Sequence, residues 1–502
     1  MNKKYVLAID QSTQGTKAIL FNDTGELVCR SDLLHKQYIN EKGWVSHDLK
    51  EIYGNTVQAV KSVVEKAQIH KDEIACIGIS NQRETSAAWN RKTGEPLVPA
   101  IVWQCARAEN ICERVRQNAV ISHDGENMDV AGIIRQKTGL MLSPYFPAAK
   151  YAWMRENVET VRQAEKQGEL CFGTMDTWLL FRLTKGTVYA TDYSNASRTQ
   201  LFNIHTLEWD TEICTWFGID KETLPQVCDS SYLYGSTDLE GWFGESVPIC
   251  GVIGDSQGAL FGQGCVKKGM VKATYGTGSS VMMYTGETPV QSELGLVTSL
   301  AWGINGKVGY VLEGNINYTG AVITWLKDDM QLISTAQETK ELAEQANQSD
   351  TTYLVPAFSG LGAPYWKSDA RAVLCGMSRT TGKKEIVKAA LESIAYQIAD
   401  IAKMMEAENG GRLETLCVDG GPTNNAYLMQ FQSDILGISV KLPVCEESSA
   451  LGAAMLAGLA QGIYQENTLF TTTVRRQFAY LMGKTERENR YLGWKNAVNM
   501  LL

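Results

Sequence analysis

The apolar run Ile74–Ile79 ends abruptly in six polar residues that include an adjacent cation and anion, Arg83 and Glu84, within the segment Gly78-Ile79-Ser80-Asn81-Gln82-Arg83-Glu84-Thr85. Desolvating an unpaired charge at the end of a buried strand costs on the order of several kcal/mol, so the two need a partner or a ligand. Arg offers a rigid fork of N–H donors and Glu offers acceptors; together they can grip a vicinal diol. On these eight residues alone a local surface ion pair is an equal reading. Three further apolar runs end in an Asp: Tyr5–Asp10, Val247–Asp255 and Leu416–Asp419. Small or hydroxyl residues follow each: Ser12, Thr13, Gly15 and Thr16 after the first, Ser256 after the second, Gly420 and Gly421 after the third. One such Asp is ordinarily a helix cap or a turn former. Repeated three times beside Arg83-Glu84, the pattern favours a cleft for a nucleotide and a polyhydroxy substrate. Backbone N–H groups in such turns bind phosphate, and ligands of open α/β sheets sit at the carboxyl ends of strands.

The elements that would carry these residues read as α/β. Strands are predicted at Tyr5–Ile9, Thr16–Phe21 and Ile74–Ile79, and a helix with apolar residues at helical spacing at Leu49–Ala67. Glu109–Arg116 continues as helix, and the polar stretch 117–132 reads as a surface insertion. After Val247–Gly254 the pattern restarts, with strands at Met270–Thr274, Leu300–Ile304, Val308–Leu312 and Leu416–Val418. Helices are predicted at Thr319–Asp328, Thr335–Gln345, Glu385–Ala407, Asn424–Asp434 and Leu451–Ala460. The restart sets two domains, 1–250 and 251–502. The turn after Asp10 and the segment Tyr275-Gly276-Thr277-Gly278-Ser279-Ser280 look like equivalent phosphate loops in the two halves. Neither a Gly-x-x-x-x-Gly-Lys-Ser/Thr loop nor a Gly-x-Gly-x-x-Gly after the first strand is present, which excludes a P-loop enzyme and argues against a dinucleotide fold.

Bulk properties narrow the classes. A chain of 502 residues exceeds one core. The formal net charge is −9 with no long basic run, so no nucleic-acid partner is expected. No apolar stretch reaches the roughly 18 residues of a membrane span, and the N-terminus lacks a signal peptide. Twelve cysteines, none in a Cys-x-x-Cys pair, read as reduced thiols of a cytoplasmic protein. The five histidines show no metal-ligand spacing and support no Ser-His-Asp triad.

Several stretches resemble the FGGY carbohydrate kinases, and the glycerol kinase branch in particular: Gly43–Asp48, Asn81–Thr85, Ile101–Cys105, Phe172–Trp178, Thr191–Phe202 and Asp419–Gly437, with signature segments centred on Lys150 and Trp153 and on Ala372–Glu392. The resemblance implies two actin-like, ribonuclease-H-like lobes around a central cleft. It implies transfer of the ATP γ-phosphoryl group to a hydroxyl of a polyol or sugar with Mg²⁺, in a homodimer or homotetramer. By position, Asp255 matches the general base and Asp10 the carboxylate beside the Mg²⁺-bound phosphates. Ser12, Thr13, Thr16 and Lys17 fall in the first phosphate loop, Thr277 and Gly278 in the second. Gly320, Gly421 and Asn425 fall in nucleotide-holding segments, and Arg83, Glu84, Trp103 and Tyr145 at polyol-binding positions. Two positions depart from glycerol kinases: Ser256 stands where Gln is usual and Ser280 where Phe is usual. Both are smaller, so a pocket altered toward a longer polyol or a ketose is expected, with glycerol itself as the alternative. From another class, an actin-like ATPase switch would need both phosphate loops but not Arg83-Glu84, Trp103 and Asp255 together.

Overall fold

The computed structural model describes residues 4–117, 121–123, 126–365, 367, 369–470 and 474–502. Among the described residues, thirteen strands join in one mixed sheet. The N-terminal half supplies β1 (Tyr5–Gln11), β2 (Gly15–Phe21), β3 (Leu27–Leu34), β4 (Ile74–Asn81), β5 (Ser231–Thr237) and β6 (Val247–Gly254). The C-terminal half supplies β7 (Val271–Tyr275), β8 (Ser279–Gly286), β9 (Val297–Ile304), β10 (Lys307–Ile316), β11 (Thr415–Asp419), β12 (Ser439–Pro443) and β13 (Val474–Phe478). The spatial order is β13-β12-β11-β7-β8-β10-β9-β5-β6-β4-β1-β2-β3. The halves meet where β5 touches β9 at the register pair Ser231–Ile304.

The two halves repeat one plan. In the first, β1, β2 and β3 form an antiparallel meander, β4 runs parallel to β1, and β6 parallel to β4. In the second, β7, β8 and β10 form the meander, β11 runs parallel to β7, and β12 parallel to β11. The likeness that is faint in sequence between the two phosphate loops is therefore topological: each is the turn between the first and second strands of its half. The ends of β4 and β11 correspond too, carrying Arg83-Glu84 and Asp419-Gly420-Gly421.

Strands buried on both faces read as continuous apolar runs, and β1 is buried from Val6 to Gln11. Helix α1 (Leu49–Ala67) starts where Asp48 accepts from the Lys50 and Glu51 amides, and ends at Gln68 in a left-handed conformation. Its buried stripe of Leu49, Ile52, Tyr53, Val57, Val60, Val63 and Val64 follows the helical period and covers β2 and β3. Helices α2 (Asp255–Gly262) and α5 (Ser448–Ala460) follow the last parallel strand of each plan and pack against each other. They touch backbone to backbone: a Cβ on Gly452 would sit 2.0 Å from the Gly258 carbonyl oxygen. Helix α5 also lies on β1, β4 and β6, where Cβ atoms on Gly78 and Gly251 would stand 2.2 and 2.7 Å from the Ala453 carbonyl oxygen. Helices α3 (Lys383–Asn409) and α4 (Ala426–Leu436) cover the opposite face of the C-terminal strands.

Some expectations change. Ser279 and Ser280 belong to β8 rather than to a loop, because they pair with Tyr275 and Thr274 across a tighter turn. The helix expected over 319–328 divides into Gly320–Thr324 and a π turn, Trp325–Asp329. The stretch 117–132 holds short paired strands, Ile121–His123 and Glu126–Met128, and the start of the helix Val130–Thr138; residues 118–120 and 124–125 lie outside the described ones. No helix among the described residues is long and apolar enough to cross a membrane.

Candidate active site

The strand ends flagged by sequence converge. Arg83 and Glu84 follow β4, both buried, and Glu84 has a left-handed φ of 60°. For a side-chain-bearing residue this conformation is strained, and it persists where the surroundings hold it. Here Arg198 Nε donates to Glu84 Oε1 at 2.5 Å. Asp255 opens α2 after β6; its carboxylate is 37% exposed and stands 3.4 Å from Arg83 Nε. Ser256 donates its backbone N–H to Asp255 Oδ1 at 2.6 Å.

Trp103 and Tyr145 lie half-buried with ring centroids 5.5 Å apart. Trp103 Nε1 donates to Thr13 Oγ1 at 3.0 Å, which ties this aromatic pair to the turn after β1. Behind them, the buried Lys150 Nζ donates to the Trp103 carbonyl at 3.1 Å and to the Tyr145 carbonyl. Burial pulls the Lys150 ammonium down to about 7, against the opposing influence of Glu84. Between that value and the ordinary 10.5, the unfolded chain holds a proton here that the folded chain does not. Stability at this group therefore rises with pH across the window. From pH 7 to about 9.5, denaturant unfolding should show the wild type gaining about 1–3 kcal/mol relative to Lys150→Met. Equal pH responses in the two proteins would overturn this.

The first turn closes through Ser12, whose N–H and hydroxyl both donate to the Gly15 carbonyl, at 2.8 and 3.0 Å. The second closes through Gly276 N–H to the Gly278 carbonyl at 2.8 Å. It is fastened to the helix at Gly320 by Gly320 N–H to Gly276 O, at 2.9 Å, and Ala321 N–H to Thr277 O, at 3.1 Å. A cavity of about 630 Å³ opens beside that helix, and Gly320, Gly421 and Asn425 line it. Its apolar walls are Ile323, Leu391, Ile394 and Leu428. Asn425 caps α4 and donates from Nδ2 to Thr339 Oγ1 at 3.0 Å. Size and lining suit a nucleoside.

Asp10 is the next-to-last residue of β1 and is buried. Burial pushes its carboxyl up to about 6, Lys17 pulls it down, and Asp255 pushes it further up. Thr16 Oγ1 is buried with no hydrogen-bond partner. The under-compensated Asp10 carboxylate suits a hard cation; the Thr16 hydroxyl, paired in register with Gln11, lies on the other face of the sheet. Among the described residues no cluster of three or more His, Cys, Asp or Glu forms a metal cage. Lys17 lies across β2 from Asp10 in register, yet its Nζ is engaged at 2.6 Å by Glu447, which also accepts from Arg30.

Three charged residues of the site were not anticipated. Glu313, in β10, is fully buried and accepts from both Arg83 terminal nitrogens, at 2.7 and 3.1 Å. Arg198 Nη1 lies 3.0 Å from the same carboxylate. Despite burial, which would raise it, Arg198 and Arg83 hold the Glu313 carboxyl well below the usual range. Lys272, in β7, is buried, donates to Thr274 Oγ1 at 2.9 Å, and has its pKa lowered by that burial. The rule that flagged Arg83 also fits Glu313, since it follows the apolar run Val308–Leu312 directly. Ser280 does not offer a free hydroxyl to a longer acceptor: its Oγ donates to Glu313 Oε1 at 3.1 Å.

Residues 5–262 match the model of the FGGY family of carbohydrate kinases, N-terminal domain, and residues 271–461 match the C-terminal domain. A glycerol kinase of Geobacillus sp. (strain WCH70) is 46% identical over 498 residues, covering 99% of this chain and 98% of that protein. Glycerol kinase 2 of Thermotoga maritima is 47% identical, covering 99% of each. The crystal structure of Plasmodium falciparum glycerol kinase with ADP superposes with a TM-score of 0.91 at 35% identity, covering 100% of this chain and 99% of that one. These relatives are named glycerol kinases, not kinases of the longer polyol or ketose expected from Ser256 and Ser280.

Proposed function

Since the chain belongs to the FGGY family of carbohydrate kinases, we propose that it phosphorylates glycerol, moving the γ-phosphoryl group of ATP to one of the hydroxyls. It is a phosphotransferase with an alcohol as acceptor. The observation that carries the acceptor assignment is the partly exposed Asp255 carboxylate standing 3.4 Å from the guanidinium of the buried Arg83-Glu84 pair.

Arg83 donates to, and Glu84 accepts from, neighbouring hydroxyls of the acceptor, while Trp103 and Tyr145 cover its carbon face. Asp255 takes the proton of the attacking hydroxyl as its oxygen bonds to the γ-phosphorus and the β–γ bridging bond breaks toward ADP. The turns at Ser12–Thr13 and Thr277–Gly278 present backbone N–H groups and hydroxyls to the phosphates from both halves. The cavity at Gly320, Gly421 and Asn425 holds the nucleoside. Asp10 would hold Mg²⁺, which would supply charge neutralisation on the phosphates. Positioning of this kind is what a loose phosphoryl-transfer transition state requires.

The test is ADP release with Mg·ATP across glycerol, erythritol, threitol, pentitols and pentuloses. Glycerol is expected to give the highest kcat/KM. A four- or five-carbon acceptor used more efficiently would replace glycerol in this reading. ADP release that no acceptor stimulates would point to an ATPase switch.

A further inference from the structure

We infer that Glu313 is the positioning residue of the acceptor site, holding the Arg83 fork from the opposite half of the molecule so that the acceptor pocket is completed only when the two halves are apposed. This rests on the reading that Arg83 and Glu84 hold the acceptor. Arg83, Glu84 and Arg198 fall in the N-terminal family domain, and Glu313 in the C-terminal one. The charges alternate along a path from Glu84 through Arg198, Glu313 and Arg83 to Asp255, with contacts of 2.5, 3.0, 2.7 and 3.4 Å in that order. Apart from Asp255, these side chains are nearly inaccessible to water, at 3, 1, 0 and 6% exposure in the order of the path.

The donor count sets the direction of the guanidinium. Arg83 has five N–H groups. Nη1 donates to Glu313 Oε2 and Gln257 Oε1, both at 3.1 Å, and Nη2 donates to Glu313 Oε1 at 2.7 Å. The two-toothed contact fixes the plane of the fork. One Nη2 hydrogen and the Nε hydrogen remain, and Nε points along the edge shared with Asp255 and Glu84, at 3.4 and 4.0 Å. Ser280 braces Glu313 Oε1 at 3.1 Å. A buried network of this type is a weak source of net stability; its distinctive effect is the orientation of Arg83, the cation that reaches toward the acceptor. Without the Glu313 charge, Arg83 has Asp255 and Glu84 as its remaining anions and swings into the space an acceptor would fill.

Purified Glu313→Gln and Glu313→Asp are compared with wild type for acceptor KM, ATP KM, kcat and thermal stability. We expect the acceptor KM of Glu313→Gln to rise about 30- to 1,000-fold, the range for removing one partner of a buried charge pair. The ATP KM should stay within about threefold, and Glu313→Asp should recover part of the loss. Equal changes in the two KM values, or an unchanged acceptor KM in a folded variant, would overturn the assignment. If Glu313→Gln does not fold, Ser280→Ala carries the test: losing the brace should raise acceptor KM by about 2- to 10-fold, as expected for one hydrogen bond, with ATP KM unmoved, and no change in acceptor KM counts against the inference. A wild type that phosphorylates no polyol defeats the underlying reading itself; an active wild type with indifferent variants defeats only Glu313.

Discussion

Asp255→Asn is expected to lower kcat about 10²–10⁴-fold, the usual contribution of a placed general base, while ATP KM stays within about threefold. Asn keeps the shape and can still accept from the Ser256 amide, so α2 should begin as before. What it loses is the ability to take the hydroxyl proton. Stability should change little, because the carboxylate is 37% exposed and its contact with Arg83 is long, at 3.4 Å. Product formation from glycerol and Mg·ATP, followed by coupled ADP release, gives the number. A kcat within tenfold of wild type would remove Asp255 from the base role and direct attention to Asp10, whose carboxyl the nearby Asp255 charge helps push up.

Gly420→Ala is expected to destabilise the protein by about 2–5 kcal/mol and to raise ATP KM more than tenfold. Gly420 has φ +96°, where L side chains are strained, and a Cβ would sit 2.0 Å from the Tyr275 carbonyl oxygen. That oxygen belongs to the last residue of β7, next to the turn through Gly276, Thr277 and Gly278. Room made for a methyl group would push the Gly421 wall of the nucleoside cavity away from the second phosphate turn. Gly421→Ala is the paired control. No atom lies within 4 Å of its added Cβ, so its stability should match wild type, with only the cavity it lines made smaller. Denaturant midpoints and ATP KM for the two variants separate strain from steric filling. Gly420→Ala behaving like Gly421→Ala in stability would refute the argument.

The strand ends were legible because their signal is local. An apolar run stopped by Asp10, Arg83, Asp255 or Asp419 marks a buried strand whose last residue must meet something polar, and each of these residues ends or follows a strand of the sheet. Helix α1 was readable from its apolar period, which lies within one window, and the structure adds the Asp48 cap. Lys272 and Arg198 were missed because what makes them part of the site is not local; Glu313 carried the local signal of a charge after an apolar run, but its partner is not local. Glu313 is 230 residues from Arg83 in sequence, and nothing near either one announces the other. The walls of the nucleoside cavity were missed for the same reason: Ile323, Leu391 and Leu428 read as ordinary core positions and meet only in three dimensions. The exposed edge strand β3 alternates weakly and carries charges, so it gave no strand signal at all. Ser280 shows the reverse error. Its small size was visible, but its hydroxyl is directed to Glu313, which no sequence window contains.

Helix α5 has a consequence for how the protein is made. It lies on β1, β4 and β6 with its backbone against Gly78 and Gly251, yet it is the segment 448–460. During synthesis the N-terminal sheet therefore leaves the ribosome with one face bare, and that face stays bare until residues 448–460 have been translated. The first half of this kinase is a folding intermediate in waiting, with an apolar surface that the cell must keep from sticking until that helix arrives.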